Sequence, residues 1–203
     1  MSGSEYFDQA AVTWDLEDRR VALARAVAAA IRQTLSLSRE MDVLDFGCGT
    51  GLVTLELAPL VGSIAGADAS QGMLRTLAEK AGARDLAVRL VALAEEGAPA
   101  LRGPYHLITS SMTLHHIADV PGLLGQFFQA LHPGGQVALA DLDTEDGRFH
   151  DSPSGVHHQG FDRAELAGWL ALAGFEEIKV ATAAATTKAG MTYTVFLASA
   201  RKP

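Results

Sequence analysis

The sequence has few of the features that would assign it to several common functional classes. A single cysteine, Cys48, excludes an internal disulfide framework. The formal net charge is -8 and no run of lysine or arginine occurs, which disfavours nucleic-acid binding because that binding depends on contacts between cations and phosphates. The most apolar stretches, such as residues 21–31, are interrupted by Arg25 and are too short to span a bilayer. We therefore expect neither a nucleic-acid partner nor a membrane span.

The first residues, MSGSEYFDQAAV, lack the basic segment followed by an apolar one that marks a secretory leader, so we expect a cytoplasmic location. The 203 residues fit one domain on the scale of roughly 100 to 200 residues per domain. Hydrophobic residues make up 48% of the chain and charged residues 20%, which is typical of globular proteins. We expect one globular unit, as a monomer or a homodimer.

Hydrophobic periodicity predicts a helical segment over residues 1–40 and an α/β unit over residues 41–203. Residues 5–14 and 19–34 have the spacing of amphipathic helices. From residue 42 short apolar runs alternate with helical patterns, which predicts βαβ units and a doubly wound, mostly parallel sheet with helices on both faces. The predicted strands are 43–46, 63–67, 86–91, 106–109, 136–140, 175–183 and 191–200, and the predicted helices between them are 52–58, 71–81 and 120–131. Ser70, Asp119 and Asp162 are predicted N-caps.

The stretch VLDFGCGTG, residues 43–51, lies where an α/β fold binds ligands, in the loop between the first strand and the next helix. Gly47, Gly49 and Gly51 permit unusual backbone angles and close approach of a ligand. Asp68 ends the second predicted strand, where a carboxylate accepts both hydroxyls of a ribose. The alternative is a tight turn without a ligand. The combination of loop and carboxylate favours a nucleoside-containing ligand.

This loop differs at two residues from the sequence pattern that binds nicotinamide and flavin dinucleotides. That fingerprint, GxGxxG, has a glycine at its sixth position, where this chain has Leu52. Asp45 precedes the loop by two residues, and a buried carboxylate there repels a pyrophosphate but suits an ammonium group. The ligand expected from these residues is an adenosine with an amino-acid tail.

At this point the chain resembles the class I S-adenosylmethionine-dependent methyltransferases. The resemblance extends from about residue 43 to residue 200 and rests on motifs in a fixed order: VLDFGCGTG, GADASQGML, YHLITSSMTLHHIADV, LHPGGQVALAD and GFEEIKV. It implies a Rossmann-like sheet of seven strands with an antiparallel last strand. It also implies S-adenosylmethionine as cofactor and S-adenosylhomocysteine as product.

The resemblance implies roles for matched residues of the cofactor site. Asp45 would place the methionine amino group, Ser110 would offer it a carbonyl, and Asp68 would hold the ribose. The loop residues Gly47, Cys48 and Gly49 would line the methionine moiety, and Ala69 and Met73 would flank the adenine. Cys48 could instead be only a small residue in a crowded loop. Many relatives have an acidic residue followed by Ala after the third strand, whereas this chain has Ala92-Leu93-Ala94-Glu95, so Ala94 or Glu95 would read the adenine edge.

Several polar residues are candidates for contact with the reacting groups. His115 and His116 follow the fourth predicted strand and are candidate general bases, with His115 preferred; the alternative is a loop element packed near the cofactor. Asp141 and Asp143 follow the fifth strand. The set His150, Asp151, His157 and His158 matches no metal-ligand spacing, so no metal is expected and His157 is a candidate substrate contact. Tyr6 and Trp14, with Phe7, would form either a lid over the site or a packing staple.

The predicted function is methyl transfer to a small molecule. The fourth strand ends in Thr109-Ser110-Ser111-Met112 and lacks the NPPY-like tetrad that related enzymes use on amide or nucleobase nitrogens. The sequence as a whole resembles the small-molecule branch of this family, which includes quinone-biosynthesis methyltransferases. One alternative is a catalytically inactive module that binds S-adenosylmethionine or S-adenosylhomocysteine. A nucleotide-dependent oxidoreductase is a second alternative, disfavoured by Leu52 and Asp45.

Overall fold

A seven-stranded sheet flanked by helices is the framework of the computed structural model, which describes residues 3–94, 101–150 and 155–203. The strands are β1 (Asp42–Phe46), β2 (Ser63–Asp68), β3 (Arg89–Ala92), β4 (Tyr105–Ser111), β5 (Leu131–Leu142), β6 (Glu176–Lys188) and β7 (Met191–Arg201). The helices are α1 (Gly3–Ala10), α2 (Asp18–Thr34), α3 (Thr54–Leu57), α4 (Gln71–Ala83), α5 (Val120–Ala130) and α6 (Arg163–Leu172). Single turns of 3₁₀ helix cover Trp14–Leu16, Ala58–Leu60 and Leu114–His116.

The strand order is β3-β2-β1-β4-β5-β7-β6, and the pairs from β3 to β5 are parallel. β7 runs antiparallel to both of its neighbours. The predicted doubly wound sheet with an antiparallel last strand is therefore confirmed. Strand order reverses at β1, which lies between β2 and β4. In such sheets a crevice opens at the carboxyl ends of the strands that flank the reversal.

Both faces of the sheet are covered, as parallel sheets require. On one face the buried Val27 and Ile31 of α2 belong to the same core cluster as Leu107 of β4. On the other face the next residue of that strand, Ile108, packs with Phe127 of α5 and Leu170 of α6. Successive strand residues point to opposite faces, so β4 contributes to both halves of the core.

Several predicted boundaries are wrong by a few residues. The helix predicted over 52–58 is reduced to Thr54–Leu57, because Gly51 turns the chain at φ +82° and Pro59 lies in the following 3₁₀ turn. The strand predicted over 86–91 begins only at Arg89. The predicted 5–14 helix ends at Ala10, and the last two strands are longer than predicted. Ala189 and Gly190 join those strands with φ of +49° and +78°, the backbone of a tight hairpin turn.

The predicted helix starts are confirmed by their hydrogen bonds. The Ser70 hydroxyl accepts from the Met73 N–H, and Asp119 accepts from the Gly122 N–H. Asp162 accepts from the N–H groups of Ala164 and Glu165. Each cap satisfies N–H groups that the first helical turn leaves without a partner. None of the helices within the three described ranges is long and apolar enough to cross a bilayer.

Candidate active site

The glycine loop after β1 is a tight turn held to β2. The N–H groups of Gly47 and Cys48 both donate to the Ala67 carbonyl, at 2.8 and 3.0 Å. Gly47 has φ +69°, and a Cβ there would lie 2.2 Å from the Thr113 side chain. Gly49, at φ +52°, differs because a Cβ there would meet no atom within 4 Å. The loop is therefore packed on the Gly47 side and open at Gly49.

Asp68, at the end of β2, connects the glycine loop to the start of α4. One carboxylate oxygen accepts from the Gly49 N–H at 2.8 Å, and the other accepts from the Ser70 N–H at 2.9 Å. Burial raises the pKa of this carboxyl, and the N–H groups of Ser70 and Gly49 oppose that rise. Each oxygen still has a free lone pair, so the half-buried carboxylate can bind a ligand as well as the loop.

Asp45 lies in β1 directly below the loop and is almost wholly buried, with 2% of its surface exposed. Its two carboxylate oxygens accept hydrogen bonds from the hydroxyls of Thr54 and Thr109, at 2.5 and 2.9 Å. Desolvation outweighs these bonds and raises the pKa of Asp45 to about 6. Asp45 is thus positioned by two threonines and is sensitive to pH in the physiological range.

The remaining predicted cofactor residues are distributed around the same crevice. Ser110, near the end of β4, is buried, and its hydroxyl has no hydrogen-bond partner among the described residues. Met73 is buried in the first turn of α4, and Ala69 is half-buried beside it. Ala94 is exposed beyond β3, whereas Glu95 lies outside the described residues. The Cys48 thiol has a pKa raised by burial and by Asp45 and Asp68, which disfavours its thiolate form.

His115 forms a buried pair with Asp141. His115 Nδ1 lies 2.7 Å from one carboxylate oxygen of Asp141, and the His115 N–H lies 3.3 Å from the other. Both side chains are buried, with relative exposures of 2% and 0%. Burial alone would raise the pKa of Asp141, but the His115 ring and the Leu142 and His115 N–H groups hold it below its usual value. Asp141 therefore stays ionised and fixes the orientation of the His115 ring.

His116, the second predicted histidine, packs against His115 with ring centroids 4.1 Å apart. Its Nδ1 is 2.6 Å from the Gly155 carbonyl, so Nδ1 carries a proton and Nε2 carries a lone pair. Burial and the neighbouring His115 lower the pKa of His116 to about 4. The ring packs edge-on against Phe7 at 5.3 Å between centroids. His116 is thus neutral at pH 7 and is covered by the N-terminal segment.

The N-terminal segment is attached to the site by hydrogen bonds as well as by aromatic packing. Asp8 accepts from the Gly72 N–H and the Ser70 hydroxyl, both at 2.7 Å. These two bonds lower the pKa of Asp8. Asp15 accepts from the Thr50 hydroxyl at 2.6 Å and pairs with Lys80. Residues 5–16 therefore lie over both the glycine loop and the start of α4.

Tyr6, Phe7 and Trp14 form a chain of edge-on contacts in this segment, with centroids 5.3 and 5.6 Å apart. Phe7 is the member that reaches the histidines, while Trp14 is covered by the Arg20 guanidinium at 3.7 Å. Tyr6 is half exposed. The structure therefore brings Phe7 rather than Tyr6 or Trp14 into direct contact with His116, and a substrate role for Tyr6 and Trp14 stays a prediction.

The chain after β5 folds back over the histidine pair. The N–H groups of His157 and His158 donate to the His115 carbonyl, at 2.9 and 3.2 Å. The His150 ring stacks on His115 with centroids 4.6 Å apart. Asp151 lies outside the described residues. No group of three or more potential ligands suited to a metal ion is found in the described part of the chain.

Asp143, a candidate from the sequence, is occupied by a structural ion pair. Arg163 binds its two carboxylate oxygens at 2.6 and 2.7 Å, and the Thr194 hydroxyl donates to one of them at 2.6 Å. These partners lower the pKa of Asp143. The residue joins β5 to the start of α6, which leaves Asp141 as the only one of the two aspartates that contacts a candidate base.

Sequence reasoning missed the partners that give several site residues their properties. Thr54 and Thr109 were not singled out, nor were Asp8, Asp15 or Glu145. Asp141 was a candidate, but its pairing with His115 was not predicted. One signal was available: Thr109 lies at the end of the fourth predicted strand, and the observed register pairs Asp45 with Thr109.

Comparisons with known proteins place the chain in context. A family model described as a methyltransferase domain matches residues 16–180. The chain is 30% identical over 137 residues to the nocamycin O-methyltransferase of Saccharothrix syringae, covering 66% of this chain and 48% of that protein. It is 28% identical over 103 residues to a ubiquinone biosynthesis O-methyltransferase of Rhizobium johnstonii, covering 51% of this chain and 42% of that protein. The chain therefore spans about half the length or less of these curated relatives.

A solved structure with the same fold is the magnesium protoporphyrin IX methyltransferase of Synechocystis PCC 6803, crystallised with bound S-adenosylmethionine. The two folds agree with a TM-score of 0.66 at 17% identity, covering 95% of this chain and 84% of that one. At this identity the likeness bears on the fold alone.

Proposed function

Because the chain belongs to the methyltransferase-domain family of S-adenosylmethionine-dependent enzymes, we propose that it transfers a methyl group to a small-molecule acceptor. The observation that carries the proposal is the buried Asp141–His115 pair next to the glycine loop. Thr113 links the two features, since its hydroxyl donates to the Gly47 carbonyl at 3.2 Å. The glycine loop, which would bind the cofactor, and His115, which would contact the acceptor, are thus held close to each other. Methyl transfer requires this proximity, because the methyl group passes directly from cofactor to acceptor.

The residues present fit S-adenosylmethionine. The open face at Gly49 leaves room for a ligand against the backbone, and the buried Ser110 hydroxyl, which has no hydrogen-bond partner among the described residues, offers it a polar contact. Asp68, with free lone pairs beside that opening, would hold the ribose hydroxyls. Asp45 carries a carboxylate below the loop, where it would favour a positively charged amino group. Gly47, Cys48, Ala69, Met73 and Ala94 would complete the walls, and Glu95 stays a prediction.

When bound, S-adenosylmethionine supplies a methyl group on a sulfonium that is open to in-line displacement. The protein's contribution to such a reaction is mainly positioning, which can supply roughly 7 to 11 kcal/mol of the barrier reduction. The hydrogen bonds of Asp68 with Gly49 and Ser70, and those of Asp8 with the start of α4, hold these walls in place before any ligand binds.

We assign the base to His115. Asp141 holds the proton of the neutral ring on Nδ1, which leaves the lone pair on Nε2, and the ionised carboxylate stabilises the imidazolium that forms when Nε2 takes a proton. The His115 ring is covered by His116 and His150.

His116 suits a different task. A histidine with a pKa of about 4 is a weak base at neutral pH, but its Nε2 lone pair can accept a hydrogen bond from the acceptor and orient the attacking atom. Phe7, which packs on His116, would exclude water from that contact. Residues 1–40 would then act as a helical cap, in which Tyr6 and Trp14 support Phe7.

A small acceptor is supported by several observations. The acidic chain has no basic run for a nucleic acid. The two curated relatives named above are O-methyltransferases, one named for nocamycin and the other for ubiquinone biosynthesis. The names of these two relatives support an oxygen as the accepting atom.

Calorimetric titration of the full chain with S-adenosylmethionine and S-adenosylhomocysteine tests the proposal first. We expect both to bind in the micromolar range. Screening hydroxylated small molecules for methylation then tests transfer, with His115→Asn as the variant that should bind cofactor but lose activity. Binding without transfer to any acceptor would favour the inactive binding module, and no binding would overturn the proposal.

A further inference from the structure

A cavity of about 650 Å³ lies beside the histidine pair, in the part of the chain that follows β5. Its volume falls within the roughly 300 to 1,000 Å³ typical of sites for small molecules. The cavity adjoins the candidate base because His150, one of its walls, stacks on His115, and His157, another, is bonded to the His115 carbonyl. The side chains that line it include Glu145, His150, Val156, His157, His158 and Gln159.

Glu145, which lines this cavity, has a carboxylate that the backbone holds in place. One of its carboxylate oxygens, Oε2, accepts from the N–H groups of Gly147, Arg148 and Phe149, at 2.8, 3.0 and 3.2 Å. These bonds fix the carboxylate. The other oxygen, Oε1, is buried and has no partner among the described residues. A buried carboxylate oxygen without a donor is costly, so a ligand that donates a hydrogen bond there gains affinity.

His150 presents a second polar atom. Its Nε2 is buried and also has no hydrogen-bond partner within the described ranges. Burial, with the neighbouring His115 and His116, lowers the pKa of His150 to about 4, although Glu145 and Asp141 act in the opposite direction. The ring is therefore neutral at pH 7, and its Nε2 can either donate or accept one hydrogen bond. A hydroxyl group can serve both Nε2 and a carboxylate, because it donates and accepts.

The charges around the cavity limit the ligand further. No lysine or arginine is found among its described lining residues, and Glu145 is a carboxylate. Arg148, the nearest cation in sequence, is exposed and paired with Asp146. Lys188 and Arg19 contact Phe149 but are not among the described lining residues, so an anionic ligand would meet the Glu145 carboxylate without a cation in the described wall itself.

We propose that this cavity binds the methyl acceptor, and that the acceptor is a hydroxylated molecule without negative charge whose hydroxyl donates to Glu145 Oε1 and pairs with His150 Nε2. This assignment rests on the proposed function, since the cavity is assigned to the acceptor because it adjoins the candidate base. It adds two specificity-determining residues and a substrate class to the site.

Two variants test the proposed hydrogen bonds of Glu145 and His150 separately. In Glu145→Gln the single oxygen can still accept from the backbone N–H groups, while the amide nitrogen presents a donor to the cavity instead of an acceptor. His150→Phe keeps a ring against His115 but removes Nε2. The matched controls are Asp146→Asn, which removes a neighbouring charge that does not line the cavity, and His132→Phe, whose ring packs on His106 at the start of β5.

The test is a titration of the full chain carrying ¹³C-labelled histidine, followed through the ring resonances of His150. The probes are catechol, 1,2-dimethoxybenzene, which lacks a donor, and 3,4-dihydroxybenzoate, which adds a negative charge. We expect catechol to shift His150 and to bind about tenfold more tightly than either analogue, the effect of one hydrogen bond to a charged group. Glu145→Gln should reverse the preference between catechol and dimethoxybenzene. His150→Phe should weaken catechol about tenfold, and both controls should bind as the unmodified protein does.

Calorimetry with S-adenosylhomocysteine on the same samples separates the two proposals. Cofactor binding without a catechol-dependent shift of His150 would overturn the acceptor assignment and leave the proposed function standing. Equal binding of catechol and dimethoxybenzene, or an unchanged preference in Glu145→Gln, would also overturn the assignment. A catechol site with the expected preferences but no cofactor binding would contradict the proposed function and keep the cavity as a site for hydroxylated ligands.

Discussion

Asp45 and Asp141 are both buried carboxylates, in β1 and near the carboxyl end of β5, yet their pKa values move in opposite directions. Asp45 accepts hydrogen bonds from two hydroxyls and from the Thr54 backbone, yet desolvation outweighs them and raises its pKa to about 6. Asp141 has an imidazole and two backbone N–H groups, which hold its pKa below the usual value. Burial alone therefore does not determine the charge of a carboxylate, because the partners decide whether the ionised form is stabilised.

The difference in pKa between Asp45 and Asp141 fits the different role proposed for each carboxylate. Asp141 stays ionised throughout the neutral range and orients a base, which requires a constant charge. Asp45 lies near its titration point on the acidic side of neutrality and would bind an ammonium group, whose own charge would help to keep the carboxylate ionised. The predictions that follow change one side of this comparison at a time.

The largest effect is expected for Asp141→Asn. The amide cannot accept the Nδ1 proton with the strength of a carboxylate, so the favoured tautomer and the stabilisation of the imidazolium are lost. We expect the methylation rate to fall by about 10² to 10⁴, the range for general acid–base catalysis. Urea denaturation should show destabilisation by about 3 to 5 kcal/mol, as for other broken buried pairs. Unchanged rate with unchanged cofactor binding would remove His115 from the mechanism.

Asp45→Asn should have the opposite effect on stability. An acid whose pKa is raised on folding favours the protonated folded state, so its contribution is greatest near pH 4 and is lost as pH rises through about 6. The amide can accept from one threonine and donate to the other without carrying a charge. We expect the variant to be more stable at pH 7 by at most about 3 kcal/mol. This limit is the free energy of raising the pKa of Asp45 from 3.8 to about 6, at about 1.36 kcal/mol for each pH unit.

Denaturation between pH 4 and pH 7 checks this prediction, since the variant should lack the decline in stability that Asp45 causes over that interval. Cofactor affinity should fall at the same time, because the carboxylate for the amino group is gone. A variant with the same pH profile as the unmodified protein would show that Asp45 does not titrate in this range.

Asp68→Ala tests the third carboxylate of the crevice, which is only half-buried. Its loss removes the proposed ribose contact and leaves the Gly49 and Ser70 N–H groups without their acceptor. We expect cofactor affinity to fall about 10- to 100-fold, corresponding to the roughly 1.5 to 3 kcal/mol of hydrogen bonds to a charged group. Calorimetry measures it, with Asp42→Ala, at the other end of β1, as the control. An unchanged dissociation constant would place the ribose elsewhere.

The smallest effect is expected for Thr54→Val, which removes one of the two donors to Asp45. At pH 5, where Asp45 is mostly protonated, the loss should be about 1 kcal/mol, and at pH 7, where the acceptor is charged, about 2 kcal/mol. Thermal denaturation at the two pH values gives the comparison. A larger loss at pH 5 than at pH 7 would contradict the assigned titration of Asp45.

The class of fold could be predicted because its signals are local. Apolar runs of four to six residues alternate with helical periods, and the glycines at 47, 49 and 51 have positive φ, as their spacing indicated. Caps at Ser70, Asp119 and Asp162 also depend on neighbouring residues alone. The boundaries of α3 and β3 were less predictable, because a packed turn and an exposed sheet edge modify what the local pattern favours.

The candidate site was predicted only in part. Gly49, Asp68 and His115 lie at or just after the carboxyl ends of β1, β2 and β4, as the sequence motifs predicted. The partners that set their chemistry come from distant segments: Thr109 reaches Asp45 through the register of β1 and β4, and Asp141 reaches His115 from a neighbouring strand. Glu145 and His150 become a pair of cavity walls only when the chain after β5 folds back over His115.

The sequence by itself determined the alternation of strands and helices, the glycine loop after β1 and the identity of the groups at the strand ends. These features depend on the conformational preferences of neighbouring residues. The tertiary structure alone decided which buried carboxylate is held ionised, which histidine is oriented by an acid, and which polar residues line the cavity. Those properties depend on desolvation and on hydrogen-bond partners far apart in the chain, which only the register of the strands and the packing of the loops bring together.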